Sequence, residues 1–95
     1  MQVDIWSIVG AELDTASPEM CAMLAQNRQA IIRSCVAVHS RTPSAVLLVL
    51  ALDEHAAVRL AVARNVNTKP GVLALLADDY EAEVRAAAIG PRERA

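Results

Sequence analysis

The chain contains no phenylalanine and only one tryptophan and one tyrosine among its 95 residues, so no aromatic cluster can fill its interior. Any core must be built from Ala, Val, Leu and Ile, whose burial has to offset the conformational entropy of ordering the backbone. Long apolar runs are missing as well. The longest, Ala45 to Leu52, has eight residues, far short of the roughly 20 that a membrane-spanning helix needs. The N-terminus carries Asp4 and no basic region, so it has no signal-peptide pattern. Neither sign of charge dominates: nine basic against eleven acidic residues give a net charge of −2. That balance argues against a general nucleic-acid binder, whose domain is usually basic. What the chain does have is apolar residues, 55% of the total, too many for a disordered segment. One small, soluble, cytoplasmic domain spanning residues 1–95 is expected.

The strongest signal is an internal repeat. Arg33, Arg59 and Arg85 stand 26 residues apart, each preceded by an aliphatic residue, Ile32, Val58 or Val84. Residues 33–58 set against 59–84 give 11 identities in 26 positions, among them Val36/Val62, Thr42/Thr68, Leu47/Leu73, Leu50/Leu76 and Asp53/Asp79. Met20, Leu24, Ala25, Ile32 and Arg33 extend the register backwards into a more diverged copy. The chain divides into an N-terminal cap over 1–14, repeats over 15–40, 41–66 and 67–91, and a polar tail over 92–95. A fixed period in this range is the signature of a solenoid, in which neighbouring units bury a shared core.

Each unit reads as two short helices. Val46, Leu47, Leu50 and Ala51 form a first apolar stripe, and Val58, Ala61, Val62 and Asn65 a second. In the middle unit these predict helices over about 43–52 and 55–64, with Thr42 as N-cap and Pro43 in the first turn. Ser17-Pro18 and Thr68-Lys69-Pro70 mark the equivalent starts, and Gly90-Pro91 the end of the last helix. No segment alternates with period two, so no sheet is expected. Ile5, Ile8, Val9 and Leu13 predict a capping helix that shields the first unit, with Trp6 packed against it.

Val36-Ala37-Val38-His39-Ser40-Arg41-Thr42-Pro43, followed by Leu47, Leu50-Ala51, Asp53 and Val58-Arg59, resembles the leucine-rich repeat variant family. Asn65-Val66-Asn67-Thr68 through Leu73, Leu76-Ala77, Asp79 and Val84-Arg85 repeats the pattern, and the resemblance extends over about residues 16–89. It implies an all-α, right-handed superhelix of alternating α and 3₁₀ helices, related to HEAT-type solenoids. The first copy departs from it, with Ala16-Ser17-Pro18 at the turn and Asn27 in place of Asp. The 26-residue unit is slightly longer than that family's usual repeat, which leaves room for an α-helix in place of the 3₁₀ helix. No segment matches the Cys-rich stretch that carries an iron–sulfur cluster in the family's best-known member, and no cofactor is expected.

Several residues are candidates for chemistry. Cys21 and Cys35 are 14 apart, without C-x-x-C spacing, and fall at core positions of the register, as buried structural thiols. His39 aligns with Asn65 beside the inter-unit turn, where a side-chain hydrogen bond to the backbone accounts for both; His55 reads as a solvated surface residue. Arg33, Arg59 and Arg85 form a ladder that, with Asp53 and Asp79, predicts structural contacts between neighbouring units. The competing reading makes the arginines a row for phosphate or an acidic peptide, although Asp53, Asp79, Glu81 and Glu83 would cancel much of that field. If 58, 61, 62 and 65 point inward, then Ile31, Ser34, Val38, Ala57, Leu60 and Arg64 share one outer patch, partly apolar, of the kind that binds a protein partner. No nucleophile–base pairing or metal spacing is visible. The expectation is a non-catalytic protein-interaction module. Nucleic-acid binding through the arginine row and an accessory role in an enzyme are the alternatives, and a weak homodimer through the last unit, around Leu73, Tyr80 and Val84, is also expected.

Overall fold

The computed structural model describes residues 15–90, which hold six α-helices and no strand. The helices come in pairs: α1 (Pro18–Leu24) with α2 (Ala30–Val38), α3 (Ser44–Leu50) with α4 (Ala56–Arg64), and α5 (Pro70–Leu76) with α6 (Ala82–Ile89). The expected cap over 1–14 and the tail over 92–95 lie outside the described residues.

The first helix of each pair is a seven-residue α-helix, not a 3₁₀ helix, and it is shorter than the sequence suggests. Helix α3 ends at Leu50 because the chain at Ala51–His55 turns under the control of Asp53. The Asp53 carboxylate accepts the His55 N–H at 2.9 Å, and Asn27 and Asp79 accept the Gln29 and Glu81 N–H at the same distance. An Asx turn of this kind sets the start of each second helix, whose own N-cap side chains (Gln29, His55, Glu81) make no capping bond.

Ser17 caps α1 as expected, its Oγ accepting the Met20 N–H at 3.1 Å. Thr42 does not cap α3; Pro43 occupies that position, as Lys69 does for α5. The buried Thr42 and Thr68 hydroxyls instead donate to the Val36 and Val62 carbonyls, at 2.6 and 2.7 Å, closing the ends of α2 and α4. Each threonine thereby adds a second donor to a terminal helical carbonyl that also accepts the backbone N–H three residues on, from His39 or Asn65.

The core is one continuous cluster. Leu47, Leu50 and Leu76 enter it from the first helices, and Val36, Val58, Val62 and Val84 from the second. Helices α2, α4 and α6 pack side by side as a spine, while the first helices of successive pairs contact each other much less. Ala37 and Ala63, both fully buried, allow that close approach. The described part is elongated, measuring 41 × 24 × 24 Å.

Candidate functional site

The register brings residues of α2, α4 and α6 into rows: 31 with 57 and 83, 34 with 60 and 86, and 38 with 64. Between α2 and α4 these rows border an open groove of about 630 Å³, lined by Ile31, Ser34, Val38, Ala57, Leu60 and Arg64 together with Ala30, Ala61 and Asn65. The first six are the outer patch expected from the sequence; the other three are not part of it. Ile31 and Val38 are exposed, Val38 by 65%, whereas Leu60 is half-buried and packs against the core. Ala57 keeps the floor low, and Arg64 stands in the last turn of α4, where its charge also complements the helix dipole.

Asn65 closes the same groove from below. Buried, it donates through Nδ2 to the Ala37 and His39 carbonyls of the preceding pair, at 2.8 and 2.9 Å, and its Oδ1 accepts the Asn67 N–H at 2.9 Å. His39, at the equivalent position, accepts the Arg41 N–H on Nδ1 at 3.2 Å. Asn67 Nδ2 also donates to the Ser40 carbonyl.

On the opposite edge lies the arginine ladder. Arg33 donates through Nε and Nη2 to Asp53, at 2.6 and 3.1 Å, and Arg59 does the same to Asp79 at 2.7 and 3.2 Å. The side chains of Arg33 and Arg59 are only 12–13% exposed, so neither presents an open guanidinium to phosphate. Arg59's hydrogen bond holds the Asp79 carboxyl below its usual range despite burial. At Asp53 burial pushes the carboxyl up, but the Arg33 and His55 N–H bonds and the nearby positive charge outweigh it and hold it low. Arg85 has no carboxylate partner among the described residues; its Nη1 donates to the Asp79 and Tyr80 carbonyls. His55 is not merely solvated: its Nδ1 lies 3.0 Å from Arg33 Nη2, and since a guanidinium only donates, that nitrogen accepts.

Both cysteines are free thiols. Cys21 is buried, but Cys35 is only half-buried, unlike Ala61 and Ala87 at its register position, because the bulkier side chain extends beyond the alanine slot. Burial pushes both thiols up, away from the reactive thiolate. Among the described residues no group of three or more His, Cys, Asp or Glu is placed to hold a metal, and no helix is long and apolar enough to cross a membrane. The expected dimer face needs correction at Val84, which is 1% exposed and belongs to the core; Tyr80 is fully exposed and Leu73 half-buried.

A second apolar surface was not anticipated. Met23, Val49 and Leu75 occupy one register position on the three first helices and are all exposed, with Leu48 and Leu52 beside Val49. The period of 26 contains that row, but the stripe at 46, 47, 50 and 51 draws attention to the buried face of the same helix.

Successive helix pairs with a common core, an Asx turn within each pair and a recurrent arginine–aspartate clasp define a helical-repeat protein. Residues 56–81, from the start of α4 to the turn before α6, match the family model for leucine rich repeat variant. The match takes in Val58-Arg59, Thr68, Leu73, Leu76 and Asp79, residues that also carry the repeat. No curated protein and no solved structure matches the chain.

Proposed function

We propose that the chain is a non-catalytic interaction module, a right-handed solenoid of three 26-residue units that holds another protein in the groove between α2 and α4. The observation that carries this reading is the groove itself: Ile31 and Val38 are exposed above an alanine floor, where apolar area is gained by a partner and by no described part of the chain. Arg64 at the groove's end adds a site for an acidic group of that partner. The arginine ladder supports the protein reading over the nucleic-acid one, since Arg33 and Arg59 spend their donors on Asp53 and Asp79.

Val38→Glu tests the reading. Val38 is exposed, so the change leaves the melting temperature within a degree or two, whereas Leu60→Glu would disturb the core. Affinity capture from native lysate treated with nuclease is expected to retain a defined protein on the wild-type chain and lose it on Val38→Glu. Equal retention on both chains removes the groove as the binding site; recovery that vanishes with nuclease favours nucleic acid.

A further inference from the structure

Helix α3 is apolar on every side. Ser44 is its only polar residue; Val46, Leu47 and Leu50 are buried in the core, while Leu48 and Val49, with Leu52 just beyond the helix, are exposed. A helix of this composition normally lies in an interior, because an outward face of leucine and valine is costly to leave in water. Its neighbours extend the surface. Met23 of α1 and Leu75 of α5 share the register row of Val49, and these five side chains are 46–69% exposed. Between α1 and α3 the same face carries a slot of about 190 Å³, lined by Ala22, Ala25, Gln26, Ala45, Val46 and Val49.

Charge narrows what can cover this face. Glu19 is the only charged residue within α1, and α3 and α5 contain none. Helices without a cation have nothing to hold lipid headgroups or nucleic-acid phosphates. A face uncharged at its centre also has little with which to select a different protein by electrostatic complementarity, and it meets its own copy without opposing like charges.

We propose that the outer face of α1, α3 and α5 is the contact between two copies of this chain, with Leu48 of each copy seated in the α1–α3 slot of the other. The face is complementary to itself. Val49 borders the slot, whereas Leu52 lines the α3–α5 side with Leu75, and Leu48, one turn before Leu52, shares that side. A two-fold axis beside Val49 therefore sets the leucine ridge of each copy over the slot of the other, an isologous contact made twice. Apolar cavities of roughly 150 Å³ take a group as large as benzene, so a slot of about 190 Å³ takes a leucine side chain. The exposed side chains offer on the order of 600 Å² per copy, about 1,200 Å² for the pair, which is the lower end of a specific interface and fits a reversible dimer. This contact takes the place of the last unit, whose Val84 is core. It lies on the first helices and the α2–α4 groove between second helices, so neither depends on the other.

Sedimentation equilibrium of the full chain reads this contact directly. The weight-average mass is expected to rise from the 10.1 kDa of one chain toward twice that value over about 10 to 500 μM, in keeping with an interface of this size. Leu48→Glu is expected to weaken association by about tenfold or more. Leu48 is half exposed, so the variant should keep the helical circular dichroism of the wild type. Ala45→Leu is the second variant: it fills the slot from an exposed position without adding charge, and the same loss is expected. Should Leu48→Glu lose its helical spectrum, Ala45→Leu alone decides. Val38→Glu, in the α2–α4 groove, is expected to associate as the wild type does. A chain that keeps the mass of one copy throughout that range overturns the proposal. So does association that Leu48→Glu and Ala45→Leu leave unchanged, or association that Val38→Glu abolishes.

Discussion

The clasp between Arg59 and Asp79 couples the protein's stability to pH. Asp79 is held below its usual range by the Arg59 hydrogen bond, so the folded state binds its proton more weakly than the unfolded chain does. The sign follows directly: the contribution is whole above about pH 4, the range of an unperturbed aspartate, and is lost as pH falls through the lower folded-state value. Asp79→Asn is expected to be about 2 kcal/mol less stable at neutral pH, since it leaves a nearly buried guanidinium with half its acceptor. Denaturant titrations of both chains between pH 7 and pH 2 check this: the gap between them should close toward acid. A gap that stays constant over that range would show that the aspartate acts through the turn it caps and not through its charge.

At the scale of the helix pair, the threonine before each proline is the informative element. Thr68→Val keeps the shape of the side chain but removes one of the two donors to the Val62 carbonyl, which keeps the Asn65 N–H. A loss of about 1 kcal/mol is expected, read as a lower denaturation midpoint with an unchanged slope. Thr42 and Thr68 also show where the sequence is ambiguous. A threonine ahead of a proline has the pattern of an N-cap, yet a hydroxyl can equally donate backwards, and only the fold decides between them. The arginine ladder is ambiguous for another reason. An aspartate 6 residues before one arginine is also 20 after the previous one, so a period of 26 leaves the partner of each carboxylate open. The structure divides it: the carbonyl of residue 53 goes to Arg59 and its carboxylate to Arg33. The helices themselves, and six of the nine residues lining the α2–α4 groove, were legible because buried and exposed positions alternate at helical spacing. Leu60 is more buried and Cys35 less than the register implies, because register fixes the face of a helix but not how deeply a neighbour covers it.

For the whole molecule, a core that holds no aromatic residue among the described residues and the stacking of pairs through alanines mean that stability is shared between nearest neighbours. Helix α4 packs against both α2 and α6, whereas α6 has only one such neighbour among the described helices. Amide hydrogen exchange is therefore expected to be slowest in α4, around Val58, Val62 and Ala63, and faster in α6, around Val84 and Ala88. Equal protection of α4 and α6 would mean that the chain opens only as a single unit, and the nearest-neighbour account would fail.

The spine of second helices has a mechanical consequence. The close packing of α2, α4 and α6, the aspartate clasps and the Asn65 bonds to the preceding pair all tie each pair to its neighbour, while α1, α3 and α5 touch one another little. A strip fastened along one long edge bends most easily by opening or closing the other. The molecule is thus compliant in one direction and stiff in the rest, with the exposed row of Met23, Val49 and Leu75 spreading or gathering as it flexes.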